Sequence, residues 1–176
     1  VINLLILLLL VKSIFSYSQA GANDTTFNAT DIGNGSGDGI LSGIIEEVVL
    51  QVDGKAVIVG TFTQYNSIVK NRIARLNTDG NIDTTFNIGT GLLGDGRAVT
   101  LQPDGKIIAG GSFTNFNGIL QNNIVRLNID GTRDTSFNIG TGFNGSVASI
   151  IVQPDGKIIV AGNFTNYNGV LKKNIV

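Results

Sequence analysis

The chain repeats itself with a period of 51 residues, and that period limits its possible folds more than any single residue does. Residues 83–125 align with residues 134–176 without a gap and share 26 of 43 positions. The common blocks are DT[TS]FNIGTG, QPDGKII, FTN[FY]NG and NIV. An earlier copy carries DTTFN at 24–28, LQVDGK at 50–55, GTFTQYN at 60–66 and NRIARLNTDG at 71–80. A unit of this size buries its apolar faces only by stacking on its neighbours, so the period marks a propeller or a linear array.

Within the third copy, residues 146–153 are apolar and β-branched, Pro154-Asp155-Gly156 forms a turn, and 157–164 is a second apolar run. Pro presets the first turn angle and Gly accepts the positive φ that comes next, so this is a β-hairpin. Residues 165–169 (TNYNG) read as another turn. A third strand comes after it, clearest at 123–128 in the second copy, then an Asp130-Gly131 reversal and a short fourth segment at 134–138. In the second strand Ile158, Val160 and Phe164 line one face and Ile159 and Ala161 the other, which requires a sheet covered on both sides. Small residues near its end (Gly60; Gly110 and Gly111; Ala161 and Gly162) suit either a crowded channel or a bulge.

These features predict an all-β protein of propeller blades, each of four short antiparallel strands in about 51 residues. Propellers close with about 4 to 8 blades, so roughly three incomplete copies are expected to form an open arc. The expected organisation is a truncated secretory signal at 1–20, repeat 1 at 21–80 with a Gly-rich insert at 31–40, repeat 2 at 81–131, and a truncated repeat 3 at 132–176. The signal rests on an apolar run from Val1 to Val11 broken only by Asn3, with small residues at Ser18 and Ala20 before the expected cleavage. A membrane anchor is the competing reading, but a spanning helix needs about 20 apolar residues. The mature chain is therefore expected to be secreted or displayed on the cell surface, without a membrane span.

Composition excludes several kinds of chemistry. With no Cys there is no disulfide and no thiolate site, and with no His the chain lacks the usual general base and the commonest metal ligand. Net charge is −1 and the basic residues are scattered, Lys172-Lys173 being the only adjacent pair, so no nucleic-acid track is present. Catalysis needs a few unique titratable groups placed together, whereas nearly every polar residue here is repeated or sits in a turn. Neither enzymatic activity nor a cofactor is expected.

The candidate sites each have a structural explanation beside the functional one. Asp79, Asn81 and Asp83 place oxygen atoms as a calcium loop does, but the sixth-position Gly and the distal Glu are missing. A DG turn and then an Asp bonded to local backbone account for the same pattern. The insert at 31–39 is rich in Gly and acid but departs from GGxGxD spacing and reads as a surface loop. Each DGK (Lys55, Lys106, Lys157) lacks the rest of a phosphate loop. Glu46 and Glu47 are the only glutamates; as strand neighbours they point to opposite faces, and the other copies carry Arg97-Ala98 and Ala148-Ser149 there. Phe62, Phe113 and Phe164 are expected between blades. Tyr65, Phe116 and Tyr167, the second aromatic of each repeat, are either core or a repeated sugar-stacking ring, and so are the ligand-binding candidates.

The run LQPDGKIIAGG to Phe113 at 101–113, RLNIDG at 126–131 and DTSF at 134–137, with parallels at 50–62, 75–80 and 83–86, resembles the delta-60 repeat. That family is a β-propeller domain of unknown function found in large secreted bacterial proteins. The resemblance spans 24–176; it departs at Val52, where the other copies have Pro103 and Pro154, and in eight extra residues of the first copy. It implies fold and export and brings no catalytic residues. The expected role is a non-catalytic secreted or cell-surface module that scaffolds or binds a protein or glycan, next to further repeats of the same polypeptide. Two alternatives are an accessory propeller of a polysaccharide-acting enzyme whose catalytic residues lie elsewhere, and a lectin using Tyr65, Phe116 and Tyr167.

Overall fold

A computed structural model describes Phe27, Gly39, Ile40 and residues 42–176. The signal segment expected at 1–20 and most of the insert at 31–40 lie outside the described residues. Every named element is a β-strand. Blade 1 contains β1 (Ile45–Leu50), β2 (Ala56–Gly60), β3 (Gln64–Tyr65), β4 (Ile68–Val69) and β5 (Ile73–Leu76). Blade 2 repeats it as β6 (Leu92–Leu101), β7 (Ile107–Phe116), β8 (Ile119–Leu120) and β9 (Ile124–Leu127). Blade 3 contains β10 (Ser146–Val152), β11 (Ile158–Asn163), β12 (Asn166–Tyr167) and β13 (Val170–Leu171).

Each blade is built on one antiparallel hairpin, β1-β2, β6-β7 or β10-β11, closed by the expected DGK turn. The third strand joins the second in the same register in blades 1 and 2: Ala56 lies opposite Leu76, and Ile107 opposite Leu127. The fourth segment is shorter than expected. It makes one bridge per blade, Ile82 with Leu76 and Arg133 with Leu127, and then leaves the ladder. Asp83 and Asp134 stop the strand by accepting the N–H groups of Thr85 and Ser136 two residues on, a local turn that competes with pairing.

Past this turn the chain forms a wedge. Phe86 and Ile88 enter a core with Val57, Val59 and Ile73 of blade 1 and Val99, Ile107 and Phe113 of blade 2. Phe137 and Ile139 do the same between blades 2 and 3, beside Ile108, Val147 and Phe164. The chain thus uses the end of one blade to fill the gap before the next. Strand β7 supplies Ile107 and Ala109 to one core and Ile108 to the other, so its apolar character on both faces comes from having a neighbour on each side.

Two further details differ from or refine the sequence reading. The turn expected at 165–169 opens into a small arm, and its counterparts are β3-β4 and the turn joining β7 to β8. Its corner residues, Asn66-Ser67, Asn117-Gly118 and Asn168-Gly169, all have positive φ, as a two-residue type I′ hairpin requires. The small residues near the end of the second strand answer to a bulge. The register slips between Ile45 and Glu47, between Gly96 and Ala98, and between Val147 and Ser149, placing Gly60, Gly111 and Gly162 against the bulged strand. A Cβ on Gly111 would sit 2.0 Å from the Asp95 carbonyl oxygen.

This geometry ranks two substitutions in blade 2. Gly111→Ala meets backbone that cannot yield and is expected to cost about 2 to 3 kcal/mol. Gly118→Ala, at φ 75 with nothing within 4 Å of the added carbon, should cost only the left-handed penalty of about 1 kcal/mol. Urea unfolding of the two variants measures the difference, and the reverse order would contradict the bulge assignment.

Candidate functional site

Successive blades are tied together at the end of the hairpin opposite the DGK turns, by hydrogen bonds that recur at the repeat period. Leu92 N–H donates to Asn71 O at 3.1 Å, and Asn71 Nδ2 returns a bond to Thr90 O at 2.8 Å. Thr90 N–H donates to Asn117 Oδ1 at 3.1 Å, and Asn117 N–H donates to Gly91 O at 2.9 Å. Arg72 Nη1 completes the set on Leu92 O at 3.3 Å. Between blades 2 and 3 the same five bonds run through Phe143, Asn122, Thr141, Asn168, Gly142 and Asn123, with Asn123 Nδ2 on Phe143 O in the role of Arg72. The IGTG block belongs to this latch. At Gly89 the φ is 57 and a Cβ would stand 2.0 Å from Asn117 Oδ1, so a side chain there would displace the latch amide.

Between the latch and the arm lies a groove, and it too recurs. The first encloses about 330 Å³ and is lined by Asn71, Arg72, Thr90, Leu93, Asn115 and Gly118, among others. The second encloses about 390 Å³ and is lined by Asn122, Thr141, Phe143, Asn144, Asn166 and Gly169, among others. Backbone and Asn, Thr and Gly positions are shared, while Leu92 and Leu93 are replaced by Phe143 and Asn144. The two sites therefore have one frame and different linings.

The other recurring constellation is ionic and lies toward the DGK turns. Asp83 Oδ2 receives Lys55 Nζ and Arg75 Nε, both at 2.8 Å, and Oδ1 receives the N–H and hydroxyl of Thr85. The Arg75 guanidinium covers the Phe86 ring at 4.5 Å and donates to Ile129 O of the next blade at 2.6 Å. Asp134 repeats this with Lys106, Arg126, Ser136 and the Phe137 ring. Burial pushes the Asp83 carboxyl up, but the bonds from Lys55, Thr85 and Arg75 outweigh it and hold the group far below its ordinary 3.8. Lys106 and then Ser136 do the same for Asp134. In the third repeat Lys157 turns to Asp155 of its own turn at 2.7 Å.

The candidates from the sequence fall into place around these two constellations. Asp83 is a buried member of the ion cluster, whereas Asp79 is exposed and accepts from the backbone and side-chain N–H of Asn81, both at 3.0 Å. Among the described residues no three His, Cys, Asp or Glu side chains gather as a metal group. Tyr65 is buried with its hydroxyl donating to Gly80 O at 3.0 Å, and Phe116 is buried in the core between blades 1 and 2. Tyr167 is half-buried, its ring 4.6 Å from that of Phe143. The first two rings thus have no face to offer a sugar. Glu46 is exposed, and Glu47 Oε2 accepts the Val99 N–H of blade 2 at 2.6 Å. Sequence reasoning missed both the latch asparagines and the ion cluster. Their signal was present, since Asn71, Asn117, Lys55, Arg75 and Asp83 all recur 51 residues on as Asn122, Asn168, Lys106, Arg126 and Asp134.

Blades of this form, stacked through wedge and latch at a fixed period, define a β-propeller repeat protein. A family model described as "Domain of unknown function (DUF5122) beta-propeller" matches residues 51–86, 102–137 and 153–176, segments that begin 51 residues apart. The chain belongs to this family. A search among curated proteins finds no match.

The ion cluster carries a prediction with a definite sign. Asp83→Asn leaves Arg75 buried without its anion and should cost about 3 kcal/mol at neutral pH. Because the folded carboxyl titrates below its ordinary 3.8, the cluster's contribution is complete above that pH and is lost as pH falls below it toward the folded value. Denaturant unfolding at pH 7 and pH 3 should show the gap between wild type and variant narrowing at the lower pH. A gap that widens in acid would contradict the assignment.

Proposed function

We propose that the chain is a non-catalytic binding scaffold, exported to the cell surface or the medium, that holds a glycan or protein ligand at the latch end of its blades. The observation that carries this reading is the pair of grooves, about 330 and 390 Å³, set in one repeated frame with different linings. A frame held by backbone and core, with side chains that change from blade to blade, is how repeat proteins adapt a surface to a ligand. The groove walls combine apolar surface from Leu92, Leu93 and Phe143 with the amides and hydroxyls of Asn and Thr and, in the first, the Arg72 side chain, which suits a ligand with both apolar faces and hydrogen-bonding groups, as a sugar has. The non-catalytic part is supported by the use of the recurring charged groups: Asp83 and Asp134 hold Lys55, Arg75, Lys106 and Arg126 in structural pairs. Export is supported by the apolar run at 1–11 and the small residues beyond it.

Filling both grooves tests the reading. Asn115→Trp with Asn166→Trp adds bulk at two positions outside the core. On glycan and protein arrays the variant should lose at least about tenfold in retention, a change of about 1.4 kcal/mol, with its melting temperature unchanged. Retention equal to wild type would contradict binding at the grooves, and turnover of a polysaccharide by the chain itself would contradict the non-catalytic reading.

A further inference from the structure

Two of the latch asparagines stand immediately before glycine. Asn117-Gly118 and Asn168-Gly169 form the exposed corners of the arms in blades 2 and 3, whereas the arm of blade 1 turns through Asn66-Ser67. The side-chain amides at 117 and 168 are held by their oxygen only. Thr90 N–H donates to Asn117 Oδ1 and Thr141 N–H to Asn168 Oδ1, both at 3.1 Å, and among the described residues neither Nδ2 has a partner. The backbone N–H groups of Asn117 and Asn168 are fixed on Gly91 O and Gly142 O, both at 2.9 Å, but those of Gly118 and Gly169 are unbonded. A Cβ on either glycine would meet nothing within 4 Å. Each corner therefore fixes the carbonyl oxygen of the amide and leaves both its NH2 group and the next backbone nitrogen free.

That arrangement favours attack of the glycine nitrogen on the asparagine side-chain carbonyl. Opening of the corner swings Gly118 N toward Asn117 Cγ while the latch keeps the amide in place. As the N–Cγ bond forms, Gly118 N gives up its proton to water and negative charge collects on Oδ1, the atom that already accepts the Thr90 N–H. The Cγ–Nδ2 bond then breaks, Nδ2 takes a proton and leaves as ammonia, and a cyclic imide remains. Water opens the imide at either carbonyl, leaving aspartate or isoaspartate in place of Asn117. No reactant other than water is required.

We propose that Asn117 and Asn168 are sites of spontaneous deamidation, and that this modification unfastens both blade junctions from the arm side. Isoaspartate inserts a main-chain carbon into a two-residue corner whose geometry admits none. The connector has no slack to absorb the shift, because a Cβ on Gly89 or Gly140 would already stand 2.0 or 1.9 Å from the amide oxygen. In blade 1 the Ser67 side chain hinders ring closure on Asn66. A third Asn-Gly pair among the described residues, Asn144-Gly145, is protected by the fold. Asn144 Oδ1 accepts the N–H groups of Thr165 and Asn166, its Nδ2 donates to Thr165 Oγ1 at 2.8 Å, and a Cβ on Gly145 would stand 2.1 Å from Asn163 O. Both ends of that amide are tied, and its glycine is wedged against backbone.

Ageing the purified chain in warm, mildly alkaline buffer and following its peptides by mass spectrometry tests the proposal. Asn117 and Asn168 should lose ammonia at least about tenfold faster than Asn66 and Asn144. Gly118→Ala should slow the loss at Asn117 by a similar factor and leave Asn168 unchanged, and Gly169→Ala should do the reverse. In the aged, folded chain the N–H groups of Thr90, Asn117, Thr141 and Asn168 should exchange faster with solvent while β6 and β7 stay protected. The proposal is overturned if Asn66 or Asn144 reacts as fast as the two corners, or if the corners survive an incubation that deamidates the urea-unfolded chain. Isoaspartate at both corners with unchanged exchange of these N–H groups would equally overturn it.

Discussion

The structure depends on how one blade is fastened to the next. A three-stranded sheet of this size has two apolar faces and cannot bury either alone, so stacking is a condition of folding. Apolar wedges at Phe86 and Phe137 fill the two gaps. Burial has no direction, however, and sets neither the angle nor the register of the blades. The latch does that. Five hydrogen bonds per junction, each worth about 1 kcal/mol net, fix one backbone segment against two others. Because Asn71 and Asn117 act from different blades on one connector, the junction has one arrangement that satisfies them all.

The latch in turn dictates much else in the sequence. The connector must pass close to Asn71 and Asn117, which explains the glycines of IGTG. The arm must turn tightly enough to present Asn117 to the connector, which explains the positive φ at its corner. At the far end, the Lys, Asp and Arg cluster ties the second strand, the third strand and the exit of the blade together, and Arg75 extends it to the carbonyl of Ile129 in the next blade. The most regular polar residues are thus architectural. Variation is left to the groove linings and to the first strand of each hairpin, where Glu46, Arg97 and Ala148 occupy one bulge position.

Fold and repeat were legible in the sequence because they are written in residues with a single local meaning. PDG turns, NG corners and apolar runs identify hairpins from neighbours alone, and their recurrence identifies blades. The fourth strand was misjudged for the opposite reason. DTSFN follows a DG reversal, where a returning strand is expected, but the Asp134 carboxylate captures the Ser136 N–H and ends the ladder, an outcome set by competition between two bonding partners. The latch was hidden because its partners lie 19 to 27 residues apart, and nothing in one copy says that Asn71 and Asn117 meet the same segment. The grooves have no sequence signature either, being spaces left between a latch and an arm. The second aromatics were ambiguous because period alone cannot tell a buried ring from an exposed one, and Tyr65 and Phe116 proved to be buried.

The account turns on the latch being as durable as the sheets it joins. Native-state amide hydrogen exchange measures this residue by residue. The N–H groups of Leu92, Asn117, Phe143 and Asn168 should exchange as slowly as those paired along β6 and β7, opening only when the blades separate. If these amides instead exchange as fast as those of the exposed DG turns while the strands remain protected, the latch does not hold the blades together. Stacking would then rest on the apolar wedges and on the bonds from Arg75 to Ile129 and from Val99 to Glu47.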